Sequence, residues 1–335
     1  MSSSPVSKPV DLGGRRIFMT GGTGIIGKSW LDYFAESMLK SPGDLVVTVL
    51  SRSPGEFLRR WPQYRDLGWL KFVQGDLDHL PESSSCTDVI HAAADTHGVA
   101  DKAEWSRQIV EGTRSVLDWA VESGARRFLL TSSGAIYGPQ PAALDRLSED
   151  HAMAPSPTLV SSVYGQSKRM AEQLCAIYAE HHPIEPVIGR CFALVGPHLP
   201  LDGPYAIGNF IRDALWRDNV RVRGDGRAVR TYLGGRDMVH WLTTLLTTGK
   251  AGEAYNVGSD QGVTMAELAQ QVVDLISPGK PVVIESAIAD DGSRSRYVPD
   301  IRKAASLGLR VETPQADAIL ATTAAARLSG PAPRT

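Results

Sequence analysis

Between residues 15 and 192, short apolar runs alternate with longer stretches whose apolar residues recur every three or four positions. The runs at 15–19, 45–50, 70–73, 89–94, 127–131 and 186–192 have the length and composition of strands. The second, Leu-Val-Val-Thr-Val-Leu, reads as a strand buried on both faces. Trp30, Leu31, Tyr33, Phe34 and Leu39 follow helical spacing. Helices are also expected over 104–122, with Ile109, Val110, Val116, Leu117, Trp119 and Ala120 on the apolar side, and over 162–180. Strands alternating with helices predict an α/β fold with a doubly wound parallel sheet covered on both faces.

Past residue 192 the pattern changes. Pro197, Pro200, Gly203, Pro204, Gly208, Gly224 and Gly226 break the chain into short pieces. Helical spacing returns at 238–247, 265–276 and 315–328, with a strand at 254–257. The expected division is a flexible leader (1–13), a sheet domain (14–192 completed by about 229–258), a smaller C-terminal α/β lobe (193–228 and 259–328) and a flexible tail (329–335).

Composition narrows the class. With 42% hydrophobic and 21% charged residues and a formal net charge of −2, nothing in bulk favours nucleic acid or an anionic membrane surface. No apolar run approaches the ~18 residues of a membrane span. Residues 1–5 carry no apolar signal core, so a soluble cytoplasmic protein is expected. Cys86, Cys175 and Cys191 lack metal spacing and read as buried thiols; no metal site is expected.

Two motifs carry chemistry. Thr20-Gly21-Gly22-Thr23-Gly24-Ile25-Ile26-Gly27 follows the first strand and opens a helix. Glycines there allow a tight turn and a close approach of backbone to a pyrophosphate at the helix N-terminus. Gly21, Thr23, Gly24, Ile25, Ile26 and Gly27 are therefore candidate cofactor ligands. The second strand ends Ser51-Arg52-Ser53 with no carboxylate. An acidic residue there would favour NAD. Arg52 can instead pair with a 2′-phosphate while Ser51 and Ser53 donate to it, so the sequence leans to NADP over NAD unless Arg52 is only a solvated loop residue. Asp76 is a candidate for the adenine amino group, or for capping a turn.

The second motif is Tyr164-Gly165-Gln166-Ser167-Lys168. Tyr164 and Lys168 are four apart and share a helix face. An ammonium beside a phenol lowers its pKa, which makes Tyr164 usable as acid or base. Ser132-Ser133, at the end of the fifth strand, can hold the substrate oxygen.

These motifs, with Gly-Asp-Leu at 75–77, His-Ala-Ala-Ala at 91–94, Thr-Ser-Ser-Gly-Ala-Ile-Tyr-Gly at 131–138 and Tyr-Asn-Val-Gly at 255–258, resemble the extended short-chain dehydrogenase/reductase family in its nucleotide-sugar epimerase/dehydratase branch. The resemblance covers roughly residues 15 to 310. It implies a Rossmann-type fold, with Tyr164 as acid/base, Lys168 tuning it and contacting the nicotinamide ribose, and Ser133 on the substrate oxygen. It also implies that Leu77, Ala92, Ala93, Ala94, Thr131 and Cys191 line the cofactor. In Gly224-Asp225-Gly226-x-x-x-Arg230 it places a diphosphate-binding arginine. Arg296, with Arg294 nearby, resembles a second one, before Tyr297-x-x-Asp300. A homodimer through the helices at 104–122 and 162–180, near Trp119 and Tyr178, is implied likewise.

The chain also departs from the pattern. The family's 4,6-dehydratases carry an Asp-Glu pair directly after the hydroxyl residue, where Gly134 and Ala135 stand here. A family asparagine after the sixth strand is replaced by Ala193, and Asn209 is a candidate substitute. Thr96 and His97 follow the fourth strand, where substrate contacts lie in the family; His97 is either an extra acid/base or a loop histidine. His91 is expected to be structural. The leading expectation is an NAD(P)-dependent nucleotide-sugar epimerase that oxidises a sugar hydroxyl transiently and reduces the ketone again. The alternatives are an NADPH-dependent keto-sugar reductase, a dehydratase of atypical mechanism, and a cofactor-sensing binding protein.

Overall fold

A computed structural model of the chain describes residues 10–93, 101–286 and 295–330. Its strands are β1 (Arg16–Thr20), β2 (Val46–Ser51), β3 (Leu70–Gln74), β4 (Asp88–His91), β5 (Arg127–Ser133), β6 (Glu185–Cys191), β7 (Leu194–Val195), β8 (Val220–Val222), β9 (Val229–Arg230), β10 (Leu233–Gly234), β11 (Ala254–Val257), β12 (Val263–Thr264), β13 (Val282–Ile284) and β14 (Arg296–Tyr297). The helices are α1 (Ile25–Lys40), α2 (Pro54–Arg60), α3 (Lys102–Glu122), α4 (Val163–His181), α5 (Ala206–Trp216), α6 (Gly235–Thr248), α7 (Met265–Ile276), α8 (Arg302–Ser306) and α9 (Gln315–Ser329).

Seven strands form one parallel sheet in the order β3-β2-β1-β4-β5-β6-β11. The order reverses between β1 and β4, the switch point where open α/β sheets bind ligands at the carboxyl edge. The largely apolar strands follow from cover on both faces. On one face Trp30 and Phe34 of α1 meet Trp241, Leu242 and Leu245 of α6. On the other, Val116 and Leu117 of α3 meet Ala171 and Cys175 of α4 over Phe128 and Leu130. This is the Rossmann-type α/β architecture that the alternation predicts. Trp119 stacks on Phe18, with centroids 3.9 Å apart, and donates to the Pro81 carbonyl. The Tyr178 hydroxyl bonds Asp118. All three cysteines are free and buried.

A third apolar cluster, with Phe210 and Ile211 of α5, Leu268 and Val272 of α7 and Ile319 of α9, builds the C-terminal lobe. Helix α5 lies where short broken pieces were expected. Its apolar period is regular, but Pro204 and Gly208 look like breakers in the sequence. Pro204 precedes the helix, and Gly208 lies where a Cβ would stand 2.6 Å from the Pro200 carbonyl oxygen. That glycine serves close packing rather than a turn. Strand ends also differ from expectation: β4 stops at His91, whereas β2 and β5 run one and two residues further, to Ser51 and Ser133.

Candidate active site

The glycine loop is shaped by steric exclusion. Gly21 has φ +73°, and a Cβ there would lie 2.5 Å from the Ala92 carbonyl and 2.6 Å from the Ala93 amide nitrogen. A Cβ on Gly27 would collide with the Gly21 carbonyl oxygen, so the helix start can sit directly against the turn. The Gly24 amide donates to Gly21 O at 3.0 Å. Gly24 precedes α1, no side chain caps the helix, and its first turn holds no acidic residue. The orphan amides at Ile25, Ile26 and Gly27 and the positive dipole end therefore suit a pyrophosphate. The donor set and the cradle fit a dinucleotide.

His91 locks this loop to the sheet. Its Nδ1 lies 2.8 Å from Thr20 Oγ1 and its Nε2 3.1 Å from Thr113 Oγ1, while Thr131 Oγ1 donates to its carbonyl oxygen at 3.1 Å. The Ala93 amide donates to Thr20 Oγ1. Burial, aided by the Lys168 charge, pushes the imidazole down to about 3, so it stays neutral as a two-ended spacer.

At the ribose end, Ser51 is buried and its Oγ accepts from the Ser53 amide at 3.3 Å, while Arg52 and Ser53 are exposed. Asp76 Oδ1 accepts from the amides of Asp78 and His79 at 3.0 and 2.7 Å, so this carboxylate caps its own turn. Leu77 packs against Gly112 of α3.

Tyr164 and Lys168 rise from the first turns of α4 toward the carboxyl ends of β5 and β6. Lys168 Nζ donates to the Thr131 carbonyl oxygen at 2.8 Å. Burial lowers its pKa to about 8, while Cys191 and Glu172 pull the other way. Burial pushes the Tyr164 phenol up to about 12, whereas the nearby Ser133 hydroxyl opposes the rise. This corrects the expected lowering of Tyr164 by Lys168. The ammonium is turned onto a backbone carbonyl, and Trp105 covers the phenol ring at 5.3 Å and 19°. Desolvation outweighs the nearby charge. Ser133 Oγ accepts from the Ala135 amide at 3.1 Å, and Tyr164 and Tyr297 are its neighbours. Cys191, at the end of β6, is buried beside Lys168 and pushed up to about 12.

A buried polar network stands behind these groups. Ser132 Oγ donates to Glu172 Oε1 at 2.5 Å, and Arg190 pairs with Glu172 at 2.8 Å. Arg190 Nη1 donates to the Tyr137 hydroxyl at 2.9 Å, which donates to Asn256 Oδ1 at 2.8 Å. Asn256 Nδ2 reaches the carbonyls of Leu147 and Asp300. The motifs at 131–138 and 255–258 therefore meet through side chains, which fixes the backbone under Ser133.

On the substrate side, strand register separates the two arginines. Arg296 pairs with Val229 and Tyr297 with Arg230, and residues paired in register share a sheet face. Arg230 therefore lies on the face of Tyr297, bonded among the described residues only to the neutral oxygens of Val229 and Ser295. Arg296 and Val229 line a cleft of about 630 Å³ with Asp145, Arg146, Asp260 and Glu267. Arg296 Nη2 donates to the Asp145 carbonyl at 3.3 Å. Asn209 is engaged within its own lobe, donating to Gly203 O and accepting from Arg212. Ala94, Thr96, His97 and Arg294 lie outside the described residues.

Residues 17–258 match the model of the NAD dependent epimerase/dehydratase family. The chain belongs to that family. It is 30% identical over 328 residues to a dTDP-glucose 4,6-dehydratase of Actinoplanes sp., covering 92% of this chain and 97% of that one. It is 29% identical over 296 residues to UDP-glucuronic acid decarboxylase 2 of Arabidopsis thaliana, covering 88% of this chain but only 64% of that relative's length. The fold is similar to that of MoeE5 in complex with UDP-glucuronic acid and NAD, with a TM-score of 0.75 and 25% identity over 94% of this chain and 99% of that one.

Within this family member, three aromatic residues near the reacting groups were missed by sequence reasoning. Trp105 arrives from α3, Tyr205 from the segment before α5, and Tyr297 from β14. Only Tyr297 carried a sequence signal, its place in the Tyr-x-x-Asp run beside Arg296. No group of His, Cys, Asp or Glu among the described residues is arranged to hold a metal ion, and no described helix is long and apolar enough to cross a membrane.

Proposed function

We propose that the chain is an NAD(P)-dependent nucleotide-sugar epimerase. The observation that carries this reading is that Tyr164, Lys168 and Ser133 gather at the carboxyl ends of β5 and β6, where Gly134 and Ala135 follow Ser133. Elimination of water or loss of carbon dioxide from a keto-sugar requires proton transfer at a neighbouring carbon. Neither Gly134 nor Ala135 can move a proton. Inversion at the oxidised carbon needs only the hydroxyl proton to leave and return.

A nicotinamide held at the glycine loop would supply a hydride acceptor for the sugar carbon and a hydride donor for the ketone. Tyr164 takes the hydroxyl proton as the ketone forms and gives it back to the oxygen on reduction. Ser133 donates to that oxygen and stabilises its negative charge. Lys168, its charge retained beside the Thr131 carbonyl, orients the ribose. Arg230, free of carboxylate partners among the described residues, is assigned to the diphosphate. A homodimer through α3 and α4 is part of the proposal, supported by the exposed apolar side chains Leu159, Val160, Met170 and Ile177.

The second reading is an NADPH-dependent keto-sugar reductase, favoured by the exposed Arg52 after β2. Incubation with UDP-glucose and UDP-glucuronic acid in deuterium oxide separates the readings. An epimerase gives an inverted sugar whose carbon keeps its own hydrogen, with no net oxidation of cofactor. Stoichiometric consumption of NADPH on a keto-sugar, release of carbon dioxide, or deuterium on a sugar carbon overturns it.

A further inference from the structure

Trp105 stands in the first turn of α3, half-buried, with its indole laid over the phenol of Tyr164 in α4. Lys102, three residues earlier, holds its ammonium 4.8 Å from the centre of the indole. The indole is not what seats α3. Asp101 caps the helix, its carboxylate accepting from the amides of Ala103 and Glu104 at 2.9 and 3.2 Å. Arg107 forks onto Asp78, in the segment after β3, at 2.9 and 3.0 Å. The hydroxyls of Ser106 and Ser167 bond at 2.9 Å, which ties α3 to the turn of α4 that carries Tyr164 and Lys168. These contacts fix the start of α3 beside Tyr164 and leave the indole to act on the phenol.

A tyrosine hydroxyl sweeps a wide arc as the side chain changes rotamer. An indole lying flat on one face of the ring removes the rotamers that would carry it into that space. It also keeps water from that face, so a sugar hydroxyl meets the phenol oxygen from the open side. We propose that Trp105 is a positioning residue of the reaction, holding the Tyr164 phenol in one orientation and closing one of its faces to water. The proposal rests on Tyr164 being the acid and base. A misplaced acid or base loses rate even where its chemistry is intact. Opening the covered face has a second effect, because water then solvates the phenolate and eases ionisation. The rise that burial imposes on Tyr164 agrees with this.

The titratable groups about the stack are Lys102 of α3, Lys168 of α4, Cys191 of β6, Tyr205 ahead of α5 and Tyr297 of β14. None of them changes in the variants that test the idea. Trp105→Leu keeps apolar bulk without a flat face, and Trp105→Phe keeps the face. One readout needs no substrate: tyrosinate absorbance is titrated for each protein, and the trace of the same protein carrying Tyr164→Phe is subtracted, which leaves Tyr164. The other is kcat and KM with UDP-glucose as the probe. Trp105→Leu is expected to ionise Tyr164 about one unit lower than wild type. It should also lose about tenfold in kcat with KM unchanged, the size of one aromatic pair. Trp105→Phe should restore both. A Trp105→Leu protein that titrates as wild type does, keeps its kcat, or raises KM alone overturns the proposal, and so does a Trp105→Phe protein that falls as far as Trp105→Leu. Tyr164→Phe reports on the underlying reading separately: turnover without the Tyr164 hydroxyl overturns the acid/base assignment, while the titration still decides what Trp105 does to the phenol.

Discussion

Trp105 lies nearly flat on Tyr164, with ring centroids 5.3 Å apart and planes inclined by 19°. The stack makes Tyr164→Phe a clean probe, because a phenyl ring keeps the contact and removes only the hydroxyl. Turnover is expected to fall about 10³-fold, the range of a lost general acid–base group. The dinucleotide released on denaturing the variant should match wild type in identity and amount. Turnover near the wild-type rate would remove Tyr164 from the chemistry.

His91 links the chemistry of the loop to stability against acid. Its folded pKa, pushed down to about 3, lies below the ordinary value of 6.5, so between these the unfolded chain binds a proton that the native chain refuses. Stability is expected to decline as pH falls from about 6.5 toward 3, while above 6.5 this residue adds no slope. Urea midpoints measured at half-unit steps should show a shallower acid decline in His91→Gln. Equal slopes in the two proteins would show that other groups control the acid limb.

What the sequence made legible was local. The sheet strands announced themselves because burial on both faces leaves them mostly apolar. The glycine loop, Ser133 and the Tyr164–Lys168 pair were readable because each is set by neighbours a few residues away. Trp105 was not, and Tyr297 showed only in its Tyr-x-x-Asp run, since each reaches the candidate site from an element far along the chain. The faces of Arg230 and Arg296 depend on the register of β9 against β14, which no single-strand pattern encodes. Gly208 was misread because a glycine required by close packing and one required by a turn look alike in one dimension.

Arg52 tests the cofactor preference. It stands exposed after β2, with no carboxylate on Ser51 or Ser53 to repel a 2′-phosphate. Arg52→Ala should weaken NADP binding about tenfold and alter NAD binding less than twofold, the difference being one charge-assisted contact. Titration calorimetry with both dinucleotides measures it. Equal losses for the two would assign Arg52 to the loop alone.

Glu172 and Arg190 form a largely buried ion pair at 2.8 Å, with side chains 12% and 14% exposed. The same carboxylate accepts from Ser132, the residue next to Ser133, and Arg190 holds Tyr137. Glu172→Gln keeps the shape but strands the guanidinium, whose burial is then uncompensated. Breaking such a pair from one side costs about 3 kcal/mol, whereas replacing both charges with apolar groups of similar volume is often neutral. Glu172→Gln should therefore lose about 3 kcal/mol in urea denaturation, and Glu172→Met with Arg190→Met should recover most of it. Activity should separate from stability in that double variant. The apolar pair restores the core, but Ser132 and Tyr137 lose their partners, so the backbone beneath Ser133 is less firmly held and kcat stays low. A double variant with wild-type kcat would show that the network stabilises the fold without ordering the reaction centre.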